Sequence, residues 1–157
     1  MTNINEEYVS FETAKLLKEK GFNVECLMSY VDKELMNVYD SDFPSEYELV
    51  NCDSEVVDAP TLQMAMKWLR EIHNLHVDID PSEGDWKPNI IELENWSCVD
   101  NGEISICNTY EQACEAAIKY CLNNLVKDEQ KFVNSTLEEK SRIDDAFTKM
   151  MLKKPTE

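Results

Sequence analysis

Three stretches of the chain carry apolar residues at helical spacing, and each begins with the same pattern of residues. Ser10, Thr61 and Thr109 are each followed by an apolar residue, an acid or amide, any residue and then alanine. A Ser or Thr side chain at a helix N-terminus accepts a hydrogen bond from an early backbone N–H group, so each position predicts a helix start. The first helix is expected to run to Lys20 and to stop at Gly21, since glycine favours the position just beyond a helix.

The second and third helices each show one apolar stripe, with residues three and four positions apart. The second helix should end near Asn74 and carries Trp68 at the edge of its stripe. Its stripe consists of Leu62, Ala65, Met66, Leu69 and Ile72. The stripe of the third helix consists of Ala113, Ala116, Ala117, Tyr120, Cys121 and Leu125. Each helix is therefore expected to bury one face and to expose the other.

Alternating apolar and polar residues predict strands between the first two helices. Residues 24–30 alternate, and residues 32–34 can turn the chain into a second strand over residues 35–39, which predicts a hairpin. Residues 47–50 are expected to add another short strand.

A second group of strands is predicted between the second and third helices. Residues 75–79 alternate and indicate a half-buried strand that ends at Pro81 and is followed by a solvated turn. Residues 90–99 form the next predicted strand. The sequence Asp-Asn-Gly-Glu over residues 100–103 favours a tight hairpin turn, which leads into a strand over residues 104–107.

The predicted elements follow the order α-β-β-(β)-α-β-β-β-α and indicate a single α+β domain over residues 1–126. Antiparallel strands would form one sheet or two small ones, with the helices packed on one side. Because the three cap patterns start 51 and 48 residues apart, an internal duplication is an alternative to generic capping. Residues 127–157 are expected to form a polar connector and a C-terminal amphipathic helix over residues 135–151.

The composition narrows the function classes to which the chain can belong. With 157 residues, 43% of them hydrophobic, the chain can build one ordinary core. Its three glycines stand alone, so no glycine-rich loop is present to cradle phosphate groups. No apolar run approaches the roughly 20 residues that span a bilayer. Since the N-terminus also lacks the pattern of a signal peptide, a cytoplasmic protein without membrane contact is expected.

The acidic residues are concentrated in two of the strand-bearing stretches. The chain has 15 Lys and Arg against 32 Asp and Glu, a formal net charge of -17, which repels the phosphates of nucleic acids. Residues 32–58 hold nine acids and one base, and residues 78–103 hold eight acids and one base. Two interpretations are open: the acids keep the protein soluble, or they form a surface for a basic partner.

Few residues are candidates for catalysis or metal binding. His73 and His76 are the only histidines, and the chain has neither an HExxH motif nor a CxxC pair. Cys98 and Cys107 flank the predicted turn at residues 100–103 and are expected to approach each other across it. The two cysteines of the third helix share one face, where burial in the core is the expected state. The sequence therefore predicts no enzyme, no metal site and no cofactor.

A partner-binding surface is the hypothesis that these features favour. Trp86 is expected in a loop, whereas Trp96 is expected on the outer face of the strand over residues 90–99, together with two glutamates. Tryptophan is enriched at the energetically important positions of interfaces, so a tryptophan among acids is a natural anchor. The alternative is that a helix covers Trp96. The predicted partner-binding residues are Asp78, Asp80, Asp85, Trp86, Glu92, Glu94 and Trp96.

Three segments of the chain carry a likeness to known sequences: Tyr8–Phe22, Ala59–Glu71, and Tyr110–Ala113 leading into Ala117–Leu122. They resemble small hypothetical proteins from phages and prophages of gut anaerobic bacteria, over roughly residues 8–126. Those proteins have no assigned activity, so the resemblance implies no catalytic residue. It implies a phage accessory protein that binds a host component, with inhibition of a host defence protein as one form of that role.

The function expected from the sequence is a non-enzymatic binding protein whose partner is a basic host protein; formation of a homodimer is left open. One alternative is a protein that sequesters a small nucleotide-like ligand, with Lys67, Arg70 and Lys87 as its positive groups. A third hypothesis is a cysteine- or metal-dependent enzyme. The leading hypothesis involves no direct contact with nucleic acid and none with a membrane.

Overall fold

The structure, a computed structural model, describes residues 5–100, 102 and 104–127 of the chain. The helices of this part are α1 (Phe11–Glu19), α2 (Glu46–Asn51), α3 (Leu62–His73) and α4 (Tyr110–Tyr120), the last followed by a π-helical turn over Cys121–Leu125. The strands are β1 (Met28–Val31), β2 (Glu34–Asn37), β3 (Val56–Asp58), β4 (Leu75–Ser82), β5 (Asp85–Glu92) and β6 (Ser97–Cys98). The predicted α+β fold is confirmed.

The described strands form two antiparallel three-stranded sheets, the second of the two predicted arrangements. In the first sheet the strand order is β2-β1-β3, because β3 pairs with the edge of β1 that β2 leaves open. The second sheet is a meander with the order β4-β5-β6. The likeness between the two intervals therefore extends to the helix N-termini that bound them but not to the order of their strands.

The predicted N-caps hold the starts of three helices. The side-chain oxygens of Ser10, Thr61 and Thr109 each accept a hydrogen bond from the backbone N–H three residues later, at 3.2–3.3 Å. At the other end of α1, Gly21 has a φ of 90°, and the N–H of Phe22 donates to a carbonyl of the last helical turn at 2.9 Å. This closing turn requires a left-handed residue, which confirms the predicted stop at Gly21.

The hydrophobic core is shared by α1, α3, α4 and both sheets. Leu17 of α1, Leu69 of α3 and Ile118 of α4 are fully buried, as is Ile90 of β5. Alternate residues of β4, beginning with Leu75, extend the core along the second sheet, as the sequence predicts.

Helix α3 buries a slightly different face from the predicted one. Trp68 is 7% exposed and packs edge to face against Phe22, with ring centroids 5.5 Å apart. Ile72, which was predicted for the apolar stripe, is 59% exposed. The indole ring has more apolar surface to bury than the isoleucine side chain, so the helix turns Trp68 toward the core.

A helix, not the predicted strand, occupies residues 47–50. In α2 the Ser45 side chain accepts a hydrogen bond from the Glu48 N–H at 3.4 Å, and the Glu48 carboxylate accepts one from the Ser45 N–H at 2.9 Å. This reciprocal pair, a capping box, stabilises a helix start and outweighs a four-residue alternation. The additional strand of this interval is β3 instead.

The first predicted hairpin is confirmed, although its first strand is shorter than expected. Asp32 and Lys33 form the turn, with φ values of 49° and 75°, the conformation of a two-residue turn that matches the twist of strands. The strand begins at Met28 rather than at Val24, because the regular pairing with β2 and β3 covers residues 28–31 and a single backbone hydrogen bond, from Val38 to Leu27, lies before it.

The solvated turn predicted after Pro81 is present at Glu83 and Gly84, where it joins the two strands of a long hairpin. Strands β4 and β5 pair along their whole lengths, in a register that ends with Ser82 opposite Asp85. Glu83 and Gly84 alone form the turn, with φ values of 50° and 99°, the geometry favoured for two-residue hairpin loops.

The predicted strand over residues 90–99 is in fact two strands joined by a turn. Strand β5 ends at Glu92, and β6 returns antiparallel to it with Cys98 opposite Ile91. Trp96, whose φ is 56°, lies at the reversal. Hydrogen bonds between the side chain of Asn95 and both Glu92 and Ser97 hold the chain in this turn.

Beyond β6 the chain pairs with the second sheet at one point. Cys107 exchanges two backbone hydrogen bonds with Trp86, but residues 104–107 do not form the predicted strand. The predicted turn at residues 100–103 lies partly outside the described residues, and the helix predicted over residues 135–151 lies wholly outside them. Among the described helices, none is long and apolar enough to cross a membrane.

Candidate interaction surfaces

The turn between β5 and β6, residues 93–96, presents Trp96 to solvent; we call it the Trp96 turn. Trp96 is 79% exposed, and no described helix covers it. Its φ of 56° is left-handed, a conformation that costs a bulky residue about 1 kcal/mol or more. The fold therefore holds a large apolar ring outside the core at a cost in backbone energy.

Side-chain hydrogen bonds fix the shape of the Trp96 turn. Asn95 Oδ1 accepts hydrogen bonds from the N–H and the Oγ–H of Ser97, at 3.0 and 2.7 Å. Asn95 Nδ2 donates to Glu92 Oε2 at 3.2 Å. The Leu93 N–H donates to the carbonyl of Asn74, at the C-terminal end of α3, at 2.8 Å. The turn is thus tied to β5, β6 and α3 without any contribution from the indole ring.

The two glutamates near Trp96 have different surroundings. The prediction that Trp96 shares one strand face with Glu92 and Glu94 is wrong, because the chain reverses direction after Glu92. Glu92 is half-buried and holds the side chain of Asn95, whereas Glu94 is exposed. Glu94 is therefore the carboxylate that lies accessible beside Trp96 in the turn.

Trp86 lies within β5 and not in the predicted loop. Its ring meets the ring of Tyr110 edge to face, with centroids 5.4 Å apart. Its backbone exchanges hydrogen bonds of 2.8 and 2.9 Å with Cys107. These contacts join α4 and residues 104–107 to the second sheet, so Trp86 is half-buried by packing within the fold.

The three predicted aspartates lie on the β4–β5 hairpin. Asp78 and Asp80 project from the outer face of β4, opposite Asn89 and Lys87 of β5. Asn89 Nδ2 donates to Asp80 Oδ2 at 2.7 Å, and Asp85 lies beside the hairpin turn. Because Lys87 stands among these aspartates, the face is less acidic than the segment's charge suggests. The structure therefore separates the predicted partner-binding residues into the Trp96 turn, this outer face and the packed Trp86.

A second surface, which the sequence analysis did not identify as a site, is a groove of about 550 Å³ on the first sheet. We call it the β2–α2 groove, because β2, α2 and the segment between them supply most of its lining. Four of the lining residues are acids and none is Lys or Arg. The acidic charge of residues 32–58 was the available signal for this surface. The lining residues are Val31, Asp32, Glu34, Met36, Ser41, Asp42, Phe43, Pro44, Glu48, Cys52 and Ser54.

A third feature, also missed from the sequence, is a carboxylate that joins α1 to α4. Glu115 Oε1 accepts hydrogen bonds from the N–H of Ser10 at 3.2 Å, from its Oγ–H at 2.5 Å and from the hydroxyl of Thr13. Lys119 Nζ lies 3.6 Å from the same oxygen, and a groove of about 430 Å³ opens beside it. A carboxylate at a helix N-terminus is favourable for the helix dipole. The cluster, the Glu115 clamp, thus stabilises the start of α1 and its contact with α4.

Cys98 and Cys107 do not approach each other as predicted. They lie along the same edge of β5, opposite Ile91 and Trp86 respectively, which are five residues apart. At about 3.3 Å per residue this places them about 17 Å apart along the strand. The tight turn before β6 returns Cys98 to one end of β5, whereas Cys107 pairs near the other end.

Three further cysteines are buried, and their thiols are expected to be unreactive. Burial raises the pKa of Cys26 and of Cys114 to about 11, and that of Cys121 to about 12. These thiols stay protonated at neutral pH and pack as small apolar side chains. The predicted core position of Cys114 and Cys121 is confirmed.

The two histidines lie in different surroundings. His73 packs edge to face against Trp68, with ring centroids 4.4 Å apart, whereas His76 lies half-buried on β4 opposite Ile91. In the part of the chain that the structure describes, no group of three or more His, Cys, Asp or Glu side chains is arranged to hold a metal ion.

The positive groups named for the ligand-sequestering alternative do not gather in a groove. Lys67 and Arg70 lie on α3, where Lys67 Nζ is 3.9 Å from a carboxylate oxygen of Glu71. Lys87 stands among the aspartates of the β4–β5 hairpin. None of the three lines the β2–α2 groove or the groove beside the Glu115 clamp.

Comparison with protein-family models, with curated proteins and with solved structures gives no significant match to the chain. The chain's own geometry and charge therefore carry the inference about what it binds.

Proposed function

We propose that this chain is a non-enzymatic binding protein of phage origin that engages a basic host protein in the cytoplasm, with the Trp96 turn as its anchor. The phage origin rests on the resemblance of residues 8–126. The observation that carries the binding role is the 79% exposure of Trp96 on a turn that hydrogen bonds hold in place. A strained backbone that serves no packing purpose is typical of a functional position.

The energy available from such an anchor is large enough for specific binding. Complete burial of an indole ring removes roughly 150–250 Å² from water, which at about 25 cal/mol per Å² corresponds to about 4–6 kcal/mol before costs are subtracted. Because the turn is already fixed by Asn95 and Ser97, little conformational entropy is lost when the partner binds.

The charge of the chain supports a basic partner. Glu94 lies in the same turn as Trp96, and the chain as a whole has a formal net charge of -17. Such a field speeds the encounter with positive surfaces and opposes the approach of phosphate groups. A surface of this kind is suited to occupying a groove that normally receives nucleic acid, which is how it would inhibit a host defence protein.

Capture of the partner tests the proposal. The tagged full chain is incubated with bacterial lysate at low salt, and bound proteins are identified by native mass spectrometry. We expect the wild-type chain to retain a basic protein that Trp96→Ala fails to retain, while Ile72→Ala, which removes an exposed apolar side chain from α3, retains it. A partner held equally by Trp96→Ala, with its circular dichroism unchanged, contradicts the role of the turn.

A charge reversal in the turn tests the electrostatic part of the proposal. Glu94→Lys should slow association with the captured partner, whereas Glu83→Lys on the β4–β5 turn should change it less. Glu94 is the better site for this test than Glu92, because Glu94 is exposed and accepts a long hydrogen bond of 3.5 Å from Asn74, whereas Glu92 is half-buried and holds Asn95 in the turn at 3.2 Å. Equal association rates for wild type and Glu94→Lys would argue against steering by this turn.

The sequestering alternative has its own outcome in the same experiment. A chain that carries only a small-molecule mass, together with a thermal shift on addition of candidate nucleotides, supports ligand sequestration and contradicts the protein-binding proposal.

A further inference from the structure

We infer that the β2–α2 groove is a second binding surface, separate from the Trp96 turn, and that it takes a basic amphipathic segment of a partner protein. One apolar side chain of that segment would enter the groove, and its Lys or Arg residues would lie on the acidic rim. This inference concerns a different sheet from the Trp96 turn and does not depend on it.

The groove combines an apolar floor with room for a ligand group. Val31 is buried beneath it, and Met36, Phe43 and Pro44 are half-buried along it. A volume of about 550 Å³ lies within the roughly 300–1,000 Å³ typical of ligand-binding pockets. An apolar side chain inserted there would cover surface that solvent now contacts.

All the charged residues that line the groove are acids. Asp32, Glu34, Asp42 and Glu48 line it. Asp32 Oδ1 accepts a hydrogen bond from the Glu55 N–H at 2.8 Å, and Glu48 Oε2 accepts bonds from the N–H and Oγ–H of its cap serine at 2.9 and 2.7 Å. These bonds fix two of the carboxylates in position, which favours recognition of positive groups at defined places.

The groove offers both charged and apolar contacts to a ligand. Helix α2 contributes Glu48 to the lining, and Cys52, which caps the C-terminal end of the helix, contributes one turn further along. Because the acids of the lining alternate with the apolar side chains of the floor, a polypeptide segment that carries both kinds of group fits it better than a small amine, which would contact the acids alone.

Charge selects this occupant over the other candidates. A second copy of the chain carries the same net charge of -17 and is repelled, as are nucleic acids and anionic membranes. No described group of three or more metal-ligating side chains is arranged to hold a metal ion. A positively charged segment with an apolar side chain complements both the rim and the floor.

A labelled peptide of twelve residues, with Lys at alternate positions around a central Trp, provides the probe for a fluorescence anisotropy titration of the full chain. We expect Glu34→Lys/Asp42→Lys to weaken its binding by about tenfold or more. The matched control Glu25→Lys/Glu83→Lys, which makes the same change in net charge outside the groove, should weaken it only about twofold. Replacing the central Trp of the peptide by Gly should also weaken binding.

The location of the bound peptide is read from amide shifts in ¹⁵N NMR spectra, which should change over residues 31–54. Equal losses for the two double variants, or no effect of the Trp-to-Gly peptide, would overturn the inference, because general charge attraction would then suffice. Complete displacement by spermine at equal charge concentration would likewise overturn it in favour of a small amine. Trp96→Ala should leave peptide binding intact, so failure of the Trp96 proposal and failure of this one give different results.

Discussion

At Trp96 the requirements of stability and of exposure conflict within one residue. Its φ of 56° disfavours any side chain with a Cβ, and its ring is mostly in water. We therefore expect Trp96→Gly to raise the free energy of unfolding by about 0.5–1 kcal/mol, because strain is relieved and little packing is lost. Urea unfolding of the two proteins measures this difference.

The matched substitution at this position is Trp96→Ala, which keeps the Cβ and hence the strain. It should not gain stability, although it should lose the partner as Trp96→Gly does. A clear destabilisation by Trp96→Gly would show that the indole ring packs against the fold, and would remove the argument from strain.

The Glu115 clamp offers a second prediction at the residue level. Glu115→Ala removes the acceptor of three hydrogen bonds, including that of the fully buried Thr13. A buried donor that loses its partner costs about 1–3 kcal/mol, so we expect a destabilisation of about 2 kcal/mol in urea unfolding. Glu111→Ala removes an exposed acid one turn earlier on the same helix, and it should cost less than about 1 kcal/mol, the contribution of a first-turn carboxylate to the helix dipole.

The residue scale also shows what a sequence can and cannot reveal about a site. The acidic neighbours of Trp96 indicated exposure as one of two alternatives, the other being cover by a helix, and the structure shows the ring exposed. Trp86 has similar neighbours, but it packs on Tyr110, which lies 24 residues further along the chain. A contact of that kind depends on tertiary structure, so no local sequence pattern predicts it. The Glu115 clamp was hidden for the same reason, since its donors are about a hundred residues away.

Helix α2 illustrates how a short element depends on its cap. It buries none of its residues, so local hydrogen bonds between Ser45 and Glu48 are its main support. These bonds hold the pKa of Glu48 below its ordinary value. The contribution is therefore present at neutral pH and is lost as the pH falls through the lowered pKa of the folded state.

We expect the amide signals of residues 46–51 to lose helical character in NMR spectra as the pH is lowered through this range, before the core unfolds. Ser45→Ala removes both the cap and the cause of the lowered pKa. This variant should therefore show a frayed α2 already at neutral pH, with little further change on acidification. Retention of α2 in Ser45→Ala would mean that other contacts hold it.

Elements were predictable where one local signal dominated. The three cap patterns placed α1, α3 and α4, and Gly21 ended α1, because caps act through the adjacent backbone alone. The prediction of a strand over residues 47–50 was wrong, because a capping box is a stronger signal than an alternation of only four residues. The first half of strand β5, around Trp86, was predicted as a loop because its local sequence is polar. Pairing with β4 makes it a strand.

At the scale of the whole molecule, the two acid-rich stretches belong to different sheets. The stretch over residues 32–58 contains β2, β3 and α2, which belong to or flank the first sheet, and the stretch over residues 78–103 contains β5, β6 and most of β4 from the second. Both carry negative charge, but only some of their acids lie near an apolar surface. The rest act at longer range, where salt screens them beyond about 8 Å at physiological ionic strength.

This division of roles predicts how salt should act on binding to the captured partner. Raising the ionic strength from about 0.05 to 0.5 M should slow association by about tenfold or more, because steering by the net charge of -17 is screened. Dissociation should change much less, since burial of the Trp96 ring is apolar. Surface plasmon resonance separates the two rates, and Trp96→Ala should show the opposite pattern, with faster dissociation and nearly unchanged association. An association rate that does not respond to salt would mean that the acids only keep the protein soluble. The role of Trp96 as the anchor would still be tested separately, by the dissociation rate of Trp96→Ala.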